Sequence, residues 1–146
     1  MTNLNGVSGS SPITERIVAS QVEYEGDVVV RFYAKFLLDL KSMPRPRVSP
    51  RRNVYLPREY KQHLQLLESL IRHVSGGGDW HGGYRVEITV RKPHSVFSPR
   101  YGDVDNLLKT VMDALPFNDA FVLDARSSKH VDDEFSVEIV AERVVK

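Results

Sequence analysis

The sequence predicts a small, single α/β (α+β) domain in which two main helices pack on a mixed β-sheet. Three observations predict it. Four stretches read as strands: residues 27–38 (DVVVRFYAKFLL) are β-branched and aromatic, 84–90 alternate apolar with polar, and 120–129 and 135–143 follow late in the chain. Two other stretches repeat apolar residues at three- and four-residue steps, one helix face each. The chain has 146 residues, enough for one domain to bury a core without disulfide or metal staples. The resulting order, β-α-β-α-β-β, implies helices laid on a mixed sheet.

Taken in order, residues 1–24 lack periodicity and begin with turn formers, so they are expected to be a flexible arm, with the folded domain spanning 25–146. The strand at 27–38 leads into KSMPRPRVSPRRNVYLP. Its four prolines block both a helix and a central strand, so an extended basic loop is expected. Pro57 is suited to open a helix, and Tyr60, Leu64, Leu67, Ile71 and Val74 form its apolar face. That helix ends near Ser75. Gly76, Gly77 and Gly78 follow as a loose connection, and no Gly-Lys-Ser/Thr makes it a phosphate loop. After the strand at 84–90, residues 91–102 are expected to be a second basic loop carrying Arg91, Lys92, Phe97 and Arg100. Val104, Leu107, Leu108, Val111, Met112 and Leu115 then share one face of the second helix.

Composition excludes several chemistries. Without cysteine there is no disulfide framework, thiolate nucleophile or cysteine-ligated zinc. No apolar run is long enough to span a membrane, no secretion signal is visible at the start, and the lack of cysteine fits a cytosolic setting. The net charge of +1 hides an asymmetry. Seven basic residues lie between positions 41 and 61 (Lys41, Arg45, Arg47, Arg51, Arg52, Arg58, Lys61) against Glu59 alone, whereas from Tyr101 onward ten acids face five bases. A basic front half is what a polyanion partner such as nucleic acid requires, and it is equally the pattern of an unevenly charged solvated surface.

The chemistry-bearing stretch is 102–109 (GDVDNLLK), followed by Asn118-Asp119. Asp103 stands where the second helix begins and Asp105 in its first turn. Lys109 and Asp113 continue that polar side, and Asp119 opens the next strand. The fold can bring Asp103, Asp105 and Asp119 together at one helix end. Three carboxylates so placed suit a hard divalent cation such as Mg²⁺, which polarises a phosphodiester or activates water, with a lysine to neutralise developing charge. The same residues also make an ordinary helix start: aspartate caps, acids suit the dipole, and Asp105–Lys109 is an i,i+4 pair. The histidines at 63, 73, 81, 94 and 130 have no ligand spacing, and no serine sits in a nucleophile elbow. Trp80 and Phe97 lie in loops, able to stack on bases or to cover a core edge.

GDVDNLLKTVMDAL followed by NDAFVLDARSSK resembles the signature of RusA-type Holliday-junction resolvases. That signature is Asp-x-Asp-Asn, a lysine three residues later, Asp-Ala-Leu, an acidic pair opening a strand, and a downstream lysine. MPRPR after the first strand is similar to a family segment too. The likeness covers residues 27–143. It departs at Asn118 and Phe121, where the family has a second Asp and a Gln, and the short connection before them holds no glycine.

The resemblance implies a Mg²⁺-dependent endonuclease, with Mn²⁺ as an alternative ion, that cuts two strands of a four-way junction symmetrically as a homodimer in recombination and repair. It implies Asp103, Asp105 and Asp119 as metal-binding catalytic acids and Lys109 as the catalytic lysine. Arg45, Arg47, Arg51, Arg52, Arg91, Lys92, Arg100 and Lys129 are the expected DNA-binding residues. The expected setting is the cytoplasm of a bacterium or phage host, with branched DNA as partner, no membrane and no nucleotide cofactor. A nuclease for flaps and a degenerate DNA-binding module are the competing functions.

Overall fold

The computed structural model describes residues 11–42, 47–48, 54–55, 57–93 and 103–146. A five-stranded sheet of order β1-β2-β7-β5-β6 organises the domain: β1 is Ile17–Glu25, β2 Val28–Phe36, β5 Gly83–Lys92, β6 Val122–Val131 and β7 Ser136–Val145. All neighbours run antiparallel except β5 and β6. That parallel pair needs a crossover, which helix α3 (Val104–Ala114) supplies. Helix α2 (Arg58–Ser75) packs beside α3 and also reaches β1 and β2. The mixed sheet with two long helices is the architecture the hydrophobic pattern predicts.

Strand alternation sets the core. Phe32, Ala34 and Phe36 of β2, Val86, Ile88 and Val90 of β5, and Val137, Ile139 and Ala141 of β7 are fully or almost fully buried on one face. Leu67, Leu70 and Ile71 of α2 and Leu107 and Val111 of α3 close over them. Each large apolar side chain so buried stabilises by about 1.5–3 kcal/mol. The opposite face stays open and polar. There Arg85 pairs with Asp124 (3.2 Å) and Glu142 (3.5 Å), and the Tyr33 hydroxyl donates to Glu138 (2.7 Å). This bond comes first in holding the Tyr33 hydroxyl above its ordinary pKa.

Three expectations change. Residues 11–24 are not an arm: Ser11–Glu15 is a short helix, α1, and β1 pairs along β2 through a turn whose Gly26 takes φ +62°. This edge strand gains its order from backbone pairing, and only Ile17 and Val22 are even half-buried, so it carries no alternating pattern to read. Within the proline-rich basic segment, β3 (Arg47–Val48) and β4 (Val54–Tyr55) form a two-residue antiparallel ladder. Finally, Arg91 and Lys92 end β5 rather than lie in a loop.

Candidate active site

Helix α3 begins on Asp103, whose extended backbone (φ −92°, ψ 171°) lets its carboxylate accept from the Asn106 N–H at 3.0 Å. Asp105 is exposed in the first turn, where the helix dipole favours an acid. Lys109 is exposed one turn further on, and Asp113 one turn beyond that. The Ser127 hydroxyl of β6 donates to the Val104 carbonyl at 3.0 Å, which fixes the start of α3 against the middle of β6. Lys129, two residues further along the same face of β6, is half-buried.

Asp119 lies at the other end. A 3-10 turn, Asp119–Phe121, precedes β6, and the Asn118 side chain caps it by accepting from the Ala120 N–H at 2.8 Å. Asn118 therefore has a local structural role. As the crossover between parallel strands, α3 runs against β6, so its eleven residues span about 16 Å between the Asp103 end and the Asp119 end. Asp113 is the acid that feels Asp119. Burial first, then Asp119, raise the Asp113 carboxyl above its ordinary pKa, while Lys109 opposes them. Asp103 and Asp105 thus stand at the start of α3 and Asp119 beyond its end. Among the described residues of one chain, no three acids or histidines are grouped to hold a metal ion.

Of the expected DNA-binding residues, Arg45, Arg51, Arg52 and Arg100 lie outside the described residues, and Arg47 is described only as backbone in β3. Arg91 is partly buried and engaged by Glu138 and, at 3.9 Å, by Asp132. Lys92 is 3% exposed; its ammonium donates to the Leu40 carbonyl at 2.9 Å and pairs with Asp39 at 3.1 Å. It is therefore not offered to phosphates, a correction whose cause is alternation: Lys92 falls on the same face as Val86, Ile88 and Val90. Trp80 covers a core edge, packed on Phe32, Tyr84 and Phe117 at centroid distances of 5.4–5.5 Å. Phe97 lies outside the described residues. His63 is buried, and its Nε2 accepts from the Lys41 N–H at 3.1 Å. Burial first, with Lys41 and other neighbouring cations, lowers its pKa to about 4, so it is a neutral core histidine.

Both arginine-bearing segments are rooted around α3. The first leaves after Ser42, and its root is held because the Thr110 hydroxyl of α3 donates to the Lys41 carbonyl at 2.8 Å. It returns at Pro57, just before Tyr60, whose hydroxyl donates to Thr110 at 3.2 Å. The second leaves after Pro93 and returns at Asp103. The Tyr60–Thr110 bond escapes sequence reasoning, because a mid-helix threonine carries no signal of its partner.

A family model described as Endodeoxyribonuclease RusA matches residues 39–142. The chain belongs to the RusA endodeoxyribonuclease family. The match takes in α2, β5, α3 and β6 whole, with both arginine-bearing segments. The family is one of Holliday-junction-resolving, divalent-metal-dependent nucleases. No curated protein matches the chain.

Proposed function

We propose that this chain is a Mg²⁺-dependent, structure-specific endodeoxyribonuclease that resolves four-way DNA junctions by paired symmetric cuts, working as a homodimer in recombination and repair. The observation that carries the reading is the division of its acids. Asp103 and Asp105 stand at one end of α3 and Asp119 at the other, alongside the edge strand β6, whose side away from β5 has no neighbour among the described residues. Two-fold antiparallel pairing of β6 with a second copy lays the start of one β6 beside the later half of the other. Asp119 of each protomer then approaches Asp103 and Asp105 of its partner, and two equivalent sites result. Exposed Leu123 and Val131 on β6, 58% and 62% accessible, supply apolar surface for that contact.

The donor set fits a hard cation, being all carboxylate oxygen with no sulfur. Asp103, Asp105 and the second protomer's Asp119 would hold Mg²⁺, which when bound supplies Lewis-acid polarisation of the phosphodiester and an activated water. Lys109, exposed on the polar side of α3, stabilises negative charge on the phosphate or the leaving oxygen. The arginine-bearing segments contact the phosphate backbone on either side. A dimer with two matched sites favours a two-fold four-way junction over a flap, which offers one scissile strand.

Mixing two inactive variants tests the shared site. Asp105→Asn and Asp119→Asn should each fail to cut a synthetic junction. Their heterodimer carries one intact and one doubly damaged site, so an equal mixture should nick single strands without paired cutting. If each site lies within one chain, the mixture stays inactive. Preferential cleavage of flaps by the wild type would move the substrate assignment to the competing nuclease reading.

A further inference from the structure

Residues 37–41, between β2 and the first basic segment, belong to no helix or strand, yet Leu38 is 6% exposed and Leu40 fully buried. This strap is tied down by several different elements. The Leu37 N–H donates to the Arg16 carbonyl at 2.7 Å, and the Arg16 guanidinium returns a bond to the Leu37 carbonyl at 3.1 Å. His63 of α2 takes the Lys41 N–H, and Thr110 of α3 donates to the Lys41 carbonyl. The Leu40 carbonyl and the Asp39 carboxylate both go to Lys92 at the end of β5. The Lys92 carbonyl in turn accepts from the Asp132 N–H at 3.0 Å, which ties the β6–β7 turn to the same point.

A cation is an unexpected occupant of this position. The preceding same-face residues, Tyr84, Val86, Ile88 and Val90, are all uncharged and buried. For stability alone a well-packed apolar side chain would serve as well, because desolvating an ammonium offsets much of what its partners return. What a buried ammonium adds is direction: it holds one carbonyl and one carboxylate at fixed places, which an apolar side chain does not. Those places are the root of one basic segment, and Lys92 itself is the root of the other.

We infer that Lys92 is a positioning residue, fastening the 37–41 strap to the end of β5 and so setting the roots of the basic segments relative to the acidic start of α3. The inference rests on the junction-nuclease reading above. Lys92 touches no substrate. It acts through Leu40 and Asp39, and through the Lys41–Thr110 bond that seats the strap on α3.

The test uses the full-length chain carrying Lys92→Met, which keeps the stem and removes the ammonium, and separately Asp39→Asn, whose side chain is 42% exposed and tolerates replacement. Amide hydrogen exchange across residues 37–41 reads the strap directly, and single-turnover cleavage of a four-way junction at saturating Mg²⁺ reads its consequence. The expected result for Lys92→Met is exchange about 10-fold faster in the strap, since local opening is governed by the bonds that hold the segment closed. Cleavage should be about 10-fold slower, as misplacement of about 1 Å is enough to cost that and more. Junction affinity and Mg²⁺ half-saturation should stay within about threefold, because the groups that bind DNA and metal remain. Asp39→Asn should follow in the same direction with a smaller effect. Ile139→Val, a core change that touches none of the strap's hydrogen bonds, controls for lost stability and should cut normally. Unchanged strap exchange overturns the fastening. Faster exchange with wild-type cleavage overturns the positioning role. A wild-type protein that cuts no junction overturns the functional reading itself and the inference with it.

Discussion

Asp105 is the residue on which metal chemistry and plain helix chemistry make opposite predictions. As an exposed first-turn acid it contributes about 0.3–1 kcal/mol to the helix through the dipole. As a metal ligand it underwrites several kcal/mol of the barrier reduction, and every 1.36 kcal/mol is tenfold in rate. Asp105→Asn should therefore cut a junction at least about 100-fold more slowly while binding it as well or better, since a charge facing phosphate is gone. Normal cutting by the folded variant would remove Asp105 from the site. Asp113 makes a sharper comparison than its sequence position implies, because it neighbours Asp119. Its replacement by Asn should leave the melting temperature equal or slightly higher, burial having already disfavoured its charged form, and change cutting by less than about tenfold. His63 gives a pH prediction. Its folded pKa of about 4 lies below the ordinary 6.5, so the unfolded chain binds its proton first as pH falls. The stability it contributes is full above pH 6.5 and is lost as pH falls from there through about 4, amounting to roughly 3 kcal/mol. His63→Gln keeps an acceptor for the Lys41 N–H, and melts between pH 7 and 4.5 should show a flatter slope than wild type. An equal slope would assign the loss to other groups.

At the scale of elements, what is legible in the sequence is what periodicity encodes. The α2 and α3 stripes and the alternation of β2 and β5 put Leu67, Leu107, Val86 and Ile88 in the core, where they are found. Edge strand β1 is hidden because its order comes from main-chain pairing. Lys92 reads as a loop cation only when residue type is weighed above the alternation running through Val90. The acidic residues at both ends of α3 are visible, but their separation is not: adjacency in a motif says nothing of which way a crossover helix runs. The first basic segment is an element-scale device too. Its arginines, interspersed with prolines, are suited to phosphates rather than bases, so junction affinity should fall log-linearly with salt. Replacing Arg51 and Arg52 by Ala should flatten the slope by about two counterions, near one per arginine removed. A slope unchanged in a filter-binding or anisotropy titration would move the DNA surface elsewhere.

For the whole molecule, assembly and chemistry become one question. One chain offers an open polar sheet face, two long helices on the other face, and an outer β6 edge that is unpaired among the described residues and flanked by Phe121 and Leu123, both more than half exposed. Open edges invite pairing, and antiparallel pairing about a two-fold axis closes after two copies. If the metal site is divided as proposed, loss of the dimer must abolish cutting even where every acid is intact. A charged residue in the apolar contact tests this. Leu123→Lys lies on the exposed surface of β6, outside the acidic residues and outside the core that folds the monomer. It should shift light scattering from dimer to monomer at micromolar concentration, leave the melting temperature of the monomer fold near its wild-type value, and reduce cutting in step with the dimer fraction. Raising protein concentration should restore both together, because association follows mass action. A wild-type chain that stays monomeric with and without junction DNA, or a monomeric Leu123→Lys that cuts at full rate, would show that each chain builds its site alone.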